Sequence, residues 1–200
     1  NRWPLTFQKS DDPVVLSVND HLFCLLVTID AALQAGAARV TVVLPTYPYS
    51  RQHKKLGRES LSAARVGQIL ENLGVNRLVT LDIHSKEIEN SFNHMRLENL
   101  HGAYQILKML ATVTDLKDES LVIVSPDVGA VERNKFYASI LGRPLAMLYK
   151  ERDYSRVAQS AEHGNITDMR LLGSVAGKTV LMCDDMLGTG GTLIKAMRVL

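Results

Sequence analysis

An α/β fold of two doubly wound parallel-sheet domains, the second incomplete, is predicted by three observations. Short apolar runs alternate with helical patterns along the chain. Some of those runs are apolar throughout, as strands buried on both faces of a parallel sheet are. Unusual polar residues then fall directly after the runs: Arg51 and Gln52, His84, Asp127, Lys150, and Asp184 with Asp185. Ligands of open α/β sheets bind outside the carboxyl ends of the strands, so these residues are expected on two rims, one per domain. The domains are placed at 1–99 and 100–200, with a joint over 97–101.

The elements follow in order. Residues 14–18 read as a strand, and Asn19 or Asp20 can cap a helix over 21–34 that Gly36 stops. A strand over 39–44 ends at Pro45, and a polar loop runs through 49–58. Ser60 opens a helix with apolar positions Leu61, Ala64, Ile69, Leu70 and Leu73, ending at Gly74. A strand over 78–83 runs into His84, with Asp82 expected to share its face by alternation. The second half reads as helix 102–112, strand 121–124, helix 128–141 closed by Gly142, and strand 145–149 ending at Lys150. Residues 151–168 read as a long functional loop and 171–177 as a turn region. A strand over 179–183 precedes the last helix.

Composition removes several functional classes. With 46% hydrophobic residues, 22% charged residues and a net charge of +2, nothing calls for nucleic acid or an anionic membrane. No run approaches the ~18 apolar residues of a membrane span, and the first residues show no charged-then-apolar leader. Cys24 and Cys183 both sit in apolar runs and read as buried thiols in a reducing, cytoplasmic compartment. The chain starts without Met and stops inside a helical pattern, so it reads as a fragment of a longer protein.

The densest chemistry lies in TVLMCDDMLGTGGTLIKAMRVL, from Thr179 to Leu200. An apolar strand leads through Asp184 and Asp185 into a loop of Gly188, Thr189, Gly190, Gly191 and Thr192, and then a helix. Such a loop offers backbone N–H groups, two hydroxyls and the positive end of a helix dipole to an anion. Paired carboxylates beside a phosphate repel it unless they face hydroxyls or a metal, so a sugar phosphate is the economical ligand. An ordinary strand–turn–helix corner with surface acids accounts for the same letters. Neither a Walker loop nor a dinucleotide fingerprint is present.

The other constellations also have two readings. Asp127, in Ser125-Pro126-Asp127-Val128-Gly129, suits Mg²⁺ or a helix cap. His84 suits a metal, a phosphate or a structural role. Arg51-Gln52-His53-Lys54-Lys55 suits polyphosphate or a solvated surface. Lys150 and Arg152 suit a transferring phosphoryl group or plain exposure beside Glu151 and Asp153.

Taken together, the blocks YSRQHKK, RESLSAARV, RLVTLDIHSKEIENSF, SPDVGAVERNKFYASILG, LYKERD and CDDMLGTGGTL resemble the ribose-phosphate diphosphokinases (5-phosphoribosyl-1-diphosphate synthetases) of the type I phosphoribosyltransferase-like fold. The RQHKK, GRESL and KERDYSR forms are similar to a divergent, longer bacterial branch. The resemblance implies transfer of the diphosphoryl group of ATP to ribose 5-phosphate, with Mg²⁺ as cofactor, in a cytoplasmic homo-oligomer, a hexamer in the family. It implies Arg51 and Gln52 at ATP, and His84 and Asp127 at Mg²⁺ sites. Lys150 and Arg152 become the catalytic cations, Asp184 and Asp185 face the ribose hydroxyls, and Gly188 to Thr192 hold the 5-phosphate. Departures from the common form are Gly188 for an acid, His53 for an Asp, Glu151 for an Arg, and extra length over 150–178. The competing readings are a non-catalytic regulatory or structural paralogue and a type I phosphoribosyltransferase acting on a base.

Overall fold

In a computed structural model, residues 16–152, 166–188 and 190–200 are described. They divide into two compact units, 1–102 and 103–200.

The first unit opens with helix α1 (Val18–Gln34). Its cap is Ser17, two to three residues earlier than expected, because Ser17 and Asp20 form a reciprocal capping box. Ser17 Oγ accepts from Asp20 N at 3.2 Å, and the Asp20 carboxylate accepts from Ser17 N at 2.8 Å. Val18, expected in a strand, is therefore the first helical residue, and positions 14 and 15 of that strand lie outside the described residues.

Strands β1 (Thr41–Leu44), β2 (Arg77–Leu81) and β3 (Arg96–Leu100) form a parallel sheet in that order. Helix α2 (Ser62–Leu73) crosses from β1 to β2, and a 3₁₀ turn over Lys86–Ser91 crosses from β2 to β3. Gly74 closes α2 at φ +105°, a left-handed position that glycine fills without strain. Register places Val42 beside Leu78, and both are buried among Ile29, Val66 and Leu70. On the other face, Val43, Leu81 and Leu100 are exposed.

The stretch 97–101, read as a joint, is largely strand β3, and the division between the two units falls just after it, at 102/103. Arg96 and Glu98 alternate with Leu97 and Asn99, so the strand lacks an apolar run. Its approach is tied to α2 by Glu71, whose carboxylate accepts from the backbone N–H of Asn93, His94 and Met95. Those bonds, from His94 and Met95 first, hold the Glu71 carboxyl below its usual range.

The second unit is wound on both sides. Its sheet runs β6 (Ile166–Leu172), β5 (Leu145–Arg152), β4 (Leu121–Ser125), β7 (Thr179–Leu181). All five residues of β4 are buried. Val122 and Val124 face a cluster with Leu148 and Ala196 of α5 (Gly191–Val199). Ile123 faces one with Ala103 of α3 (Ala103–Leu110) and Tyr137 of α4 (Val131–Leu141).

β6 runs antiparallel to β5 at the sheet edge, which corrects the two ends of the loop expected over 151–168 and the first two residues of the turn expected over 171–177; 173–177 are turn and irregular backbone, as expected. An edge strand keeps polar residues on its outer side: Met169 is buried, while Arg170 and Leu172 are exposed. Residues 153–165 of the expected loop lie outside the described residues. Cys183 is buried as expected, but Cys24 is exposed on α1. No helix among the described residues is long and apolar enough to cross a membrane.

Gly67 on α2 is packed against Phe92: a Cβ there would lie 1.9 Å from the Phe92 ring. Gly67→Ala is expected to cost about 1–3 kcal/mol by overpacking, read as a lower urea midpoint. Phe92→Ala should cost less in that background than alone, since the two positions share one space.

Candidate functional site

In the first unit the site residues hang on the turn after β1. Tyr47 is buried and donates its hydroxyl to Ala63 O at 2.7 Å; desolvation raises its pKa strongly. Gln52 N donates to Tyr49 O at 2.9 Å, and Gln52 O accepts from Ala63 N at 3.3 Å. Tyr49 takes φ +57° to close the turn. Thus anchored to the start of α2, the loop leaves the Arg51 and Gln52 side chains exposed.

The next residue turns inward. The His53 ring stands edge-on to His84, 5.2 Å between centroids. Its Nε2 lies 4.0 Å from Glu87 Oε2, its Nδ1 is buried without a hydrogen-bond partner, and Lys54 Nζ lies 3.5 Å from the same Glu87 oxygen. The basic loop and the loop after β2 therefore meet. Glu87, at the start of the 3₁₀ turn, was not singled out from sequence; a solvent-facing acid carries no periodic signal.

Asp82 does not share the face of His84. β2 ends at Leu81, and Asp82 adopts φ +45°, which breaks the strand alternation. Its carboxylate instead meets His101 Nδ1 at 3.0 Å and accepts from Gly102 N at 3.0 Å.

In the second unit, Asp127 follows β4. Ser125 Oγ donates to Asp127 O at 2.7 Å, and Asp127 Oδ1 accepts from Ala130 N at 3.0 Å. Helix α4 starts only at Val131, so Asp127 secures the turn before the helix rather than its cap.

β7 ends at Leu181, two residues short of the expectation, and the chain leaves the sheet through Cys183, Asp184 and Asp185. Asp184 as a residue is exposed, yet partial desolvation of its carboxylate raises its pKa. The side-chain contact with Asp185 and the charges of Asp185 and Asp127 push the same way, opposed by the Asp185 N–H donated to Asp184 Oδ1 at 2.9 Å. Three acids thus crowd one edge of this unit. Gly190, at φ +75°, then caps α5, whose first turn holds Gly191 and Thr192. Its reason for being glycine is the backbone angle; a Cβ there would make only ordinary contacts at 3.8 Å. Gly188 is exposed, and Thr189 lies outside the described residues.

A phosphoribosyl transferase domain model matches residues 96–200, and the N-terminal domain of ribose phosphate pyrophosphokinase matches 12–74. The chain belongs to the ribose-phosphate pyrophosphokinase family. A ribose-phosphate pyrophosphokinase of Mycoplasma pneumoniae is 38% identical over 201 residues, covering 100% of this chain and 57% of the relative. Ribose-phosphate pyrophosphokinase 2 of Saccharomyces cerevisiae is 36% identical over 180 residues, covering 90% and 53%. The crystal structure of phosphoribosylpyrophosphate synthetase from Mycobacterium smegmatis superposes with a TM-score of 0.78 at 30% identity, covering all of this chain and 67% of that one. The chain spans about half the length of the curated relatives it matches.

Within this family member, Lys150 and Arg152 lie in strand β5, opposite Met169 and Ile166 of β6, and not at the start of a loop. The ladder with β6 carries the strand past Tyr149; the two cationic side chains lie outside the described ones. One participant escaped sequence reading altogether. Asn134, on α4, is fully buried and bonds both backbone groups of Cys183. A polar residue three and four positions before the buried Tyr137 and Ala138 was the available signal.

The raised pKa of Asp184 sets a direction for stability. The folded chain holds that proton more tightly than the unfolded one, so stability falls as pH rises above the ordinary Asp value of about 3.9. Without divalent cations, Asp184→Asn is expected to raise stability at about pH 7 by less than about 1 kcal/mol, because solvent screens the group, read as a higher thermal midpoint that loses its gain towards about pH 4.

Proposed function

We propose that the full-length protein is a ribose-phosphate diphosphokinase. The anomeric hydroxyl of ribose 5-phosphate attacks the β-phosphorus of ATP, the bond to the α-phosphate oxygen breaks, and AMP leaves with 5-phosphoribosyl 1-diphosphate as the second product. The observation that carries this reading is the pair Asp184 and Asp185 shortly before the Gly190-capped helix, with the charge of Asp127 acting on Asp184. Such acids are tolerated where they face sugar hydroxyls and a cation, with the helix start taking the 5-phosphate.

Each residue then has a task. Gly188, Thr189, Gly190, Gly191 and Thr192 hold the phosphate, and Asp184 and Asp185 accept from the ribose hydroxyls. Arg51 and Gln52, exposed on an anchored loop, bind ATP. Lys150 and Arg152 stabilise charge on the transferring group and on AMP. Phosphoryl transfer asks mainly for such positioning and charge compensation.

Mg²⁺ fits the donor set on one side. It takes oxygen ligands, keeps several waters and is usually held by one or two carboxylates plus substrate phosphates. Among the described residues no ready-made group of three ligands occurs, while Asp127 adds repulsion that a cation would relieve. Asp127 in the second unit and His84 in the first are the residues that the resemblance assigns to Mg²⁺ sites, and bound Mg²⁺ would supply charge neutralisation on the polyphosphate. A homo-oligomer, a hexamer as the resemblance implies, and a cytoplasmic location complete the reading.

The test uses the full-length protein with Mg²⁺, ATP and ribose 5-phosphate, with products separated by chromatography. Matched formation of AMP and 5-phosphoribosyl 1-diphosphate is expected, and Lys150→Ala should lower kcat by about 10²-fold or more. Folded protein that binds ribose 5-phosphate without turnover would instead identify a non-catalytic paralogue.

A further inference from the structure

Asn134 is a fully buried polar side chain to which the proposed chemistry gives no task. Its Nδ2 donates to Cys183 O at 2.8 Å, and its Oδ1 accepts from Cys183 N at 3.0 Å. The same Nδ2 donates to Ala130 O at 2.8 Å. The orientation of the amide is set by these partners, since two carbonyls face the nitrogen and one N–H faces the oxygen.

The place of this pairing gives it meaning. The β4–β7 register ends at Ile123 beside Leu181, so Cys183 lies beyond the described ladder. Asn134 supplies its backbone partners there. The Cys183 carbonyl shares a peptide plane with the N–H of Asp184. Holding that plane orients the first carboxylate of the pair.

The other end of the contact reaches the second acidic turn. Ala130 gives its carbonyl to Asn134 and its N–H to Asp127 Oδ1 at 3.0 Å. Hydrogen bonds through the single residue Ala130 thus link Asn134 to Asp127, and one peptide plane separates it from Asp184. Packing alone does not ask for an amide, because Tyr137 and Ala138 continue the same helix face with apolar contacts.

We propose that Asn134 is a positioning residue: by clamping the Cys183 peptide to the Asp127–Ala130 turn, it sets Asp184 and Asp185 for the ribose hydroxyls and thereby the affinity for ribose 5-phosphate. The proposal rests on the ribose-phosphate reading of that loop.

The test compares the full-length wild type with Asn134→Ala and with the near-isosteric Asn134→Asp, which keeps the acceptor for Cys183 N–H but turns an oxygen towards the two carbonyls. Folded protein is established by circular dichroism, and steady-state kinetics are run for each substrate. KM for ribose 5-phosphate is expected to rise about tenfold to a hundredfold, with KM for ATP within about twofold of wild type. If the wild type binds ribose 5-phosphate without turnover, calorimetric Kd values replace KM and the same rise is expected. Variants that lose only kcat, with both KM values unchanged, are behaving as partly unfolded samples and overturn the proposal. Failure of both variants to fold also overturns it, assigning Asn134 to the fold. A wild type that neither turns over nor binds ribose 5-phosphate overturns the functional reading instead.

Discussion

The structure depends on burying β4 along its whole length. A strand covered on both faces has no room for charge, so the chemistry of its segment can appear only past its carboxyl end. Asp127 follows Leu121–Ser125 for this reason, and Asp184 and Asp185 follow Thr179–Leu181 on the neighbouring strand. The two acidic turns come close because their strands are paired, and Asp184 registers the charge of Asp127. The first unit obeys the same rule in smaller form, with Arg51 and Gln52 after β1 and His84 after β2.

This closeness works against the folded state. Three carboxylates at one edge repel one another, and partial desolvation of Asp184 adds to the cost. A carboxyl whose pKa is raised by acidic neighbours, as that of Asp184 is, serves a ligand, not the fold, when the ligand brings the missing positive charge or hydroxyl donors. The surrounding backbone is correspondingly well held: Ser125 and Ala130 bond Asp127, and Asn134 bonds Cys183.

The first unit solves a different problem, presenting an exposed cationic loop without letting it wander. Tyr47 pins the turn to Ala63, and the same α2 backbone ties down Gln52. His53 then packs on His84, an internal contact between two loops. Asp82, in a left-handed conformation, directs its carboxylate to His101 and Gly102 and leaves His84 facing the basic loop.

The sequence by itself determined the strand–helix alternation, the apolar character of β4 and the order of the polar residues behind the strands. These are local properties: hydrophobic periodicity, and glycine at Gly74, Gly142 and Gly190 where the backbone turns left-handed. It did not determine β3 or β6. Edge strands with polar residues at alternate positions look like loops until a neighbouring strand supplies their hydrogen bonds. Nor did it determine the end of β2 at Leu81, which depends on where the sheet stops pairing. Only the tertiary structure decided that Asn134 holds Cys183, 49 residues away in the chain, and that His53 meets His84. A side chain's partner across such a distance follows from how elements pack, and no spacing along the chain encodes it.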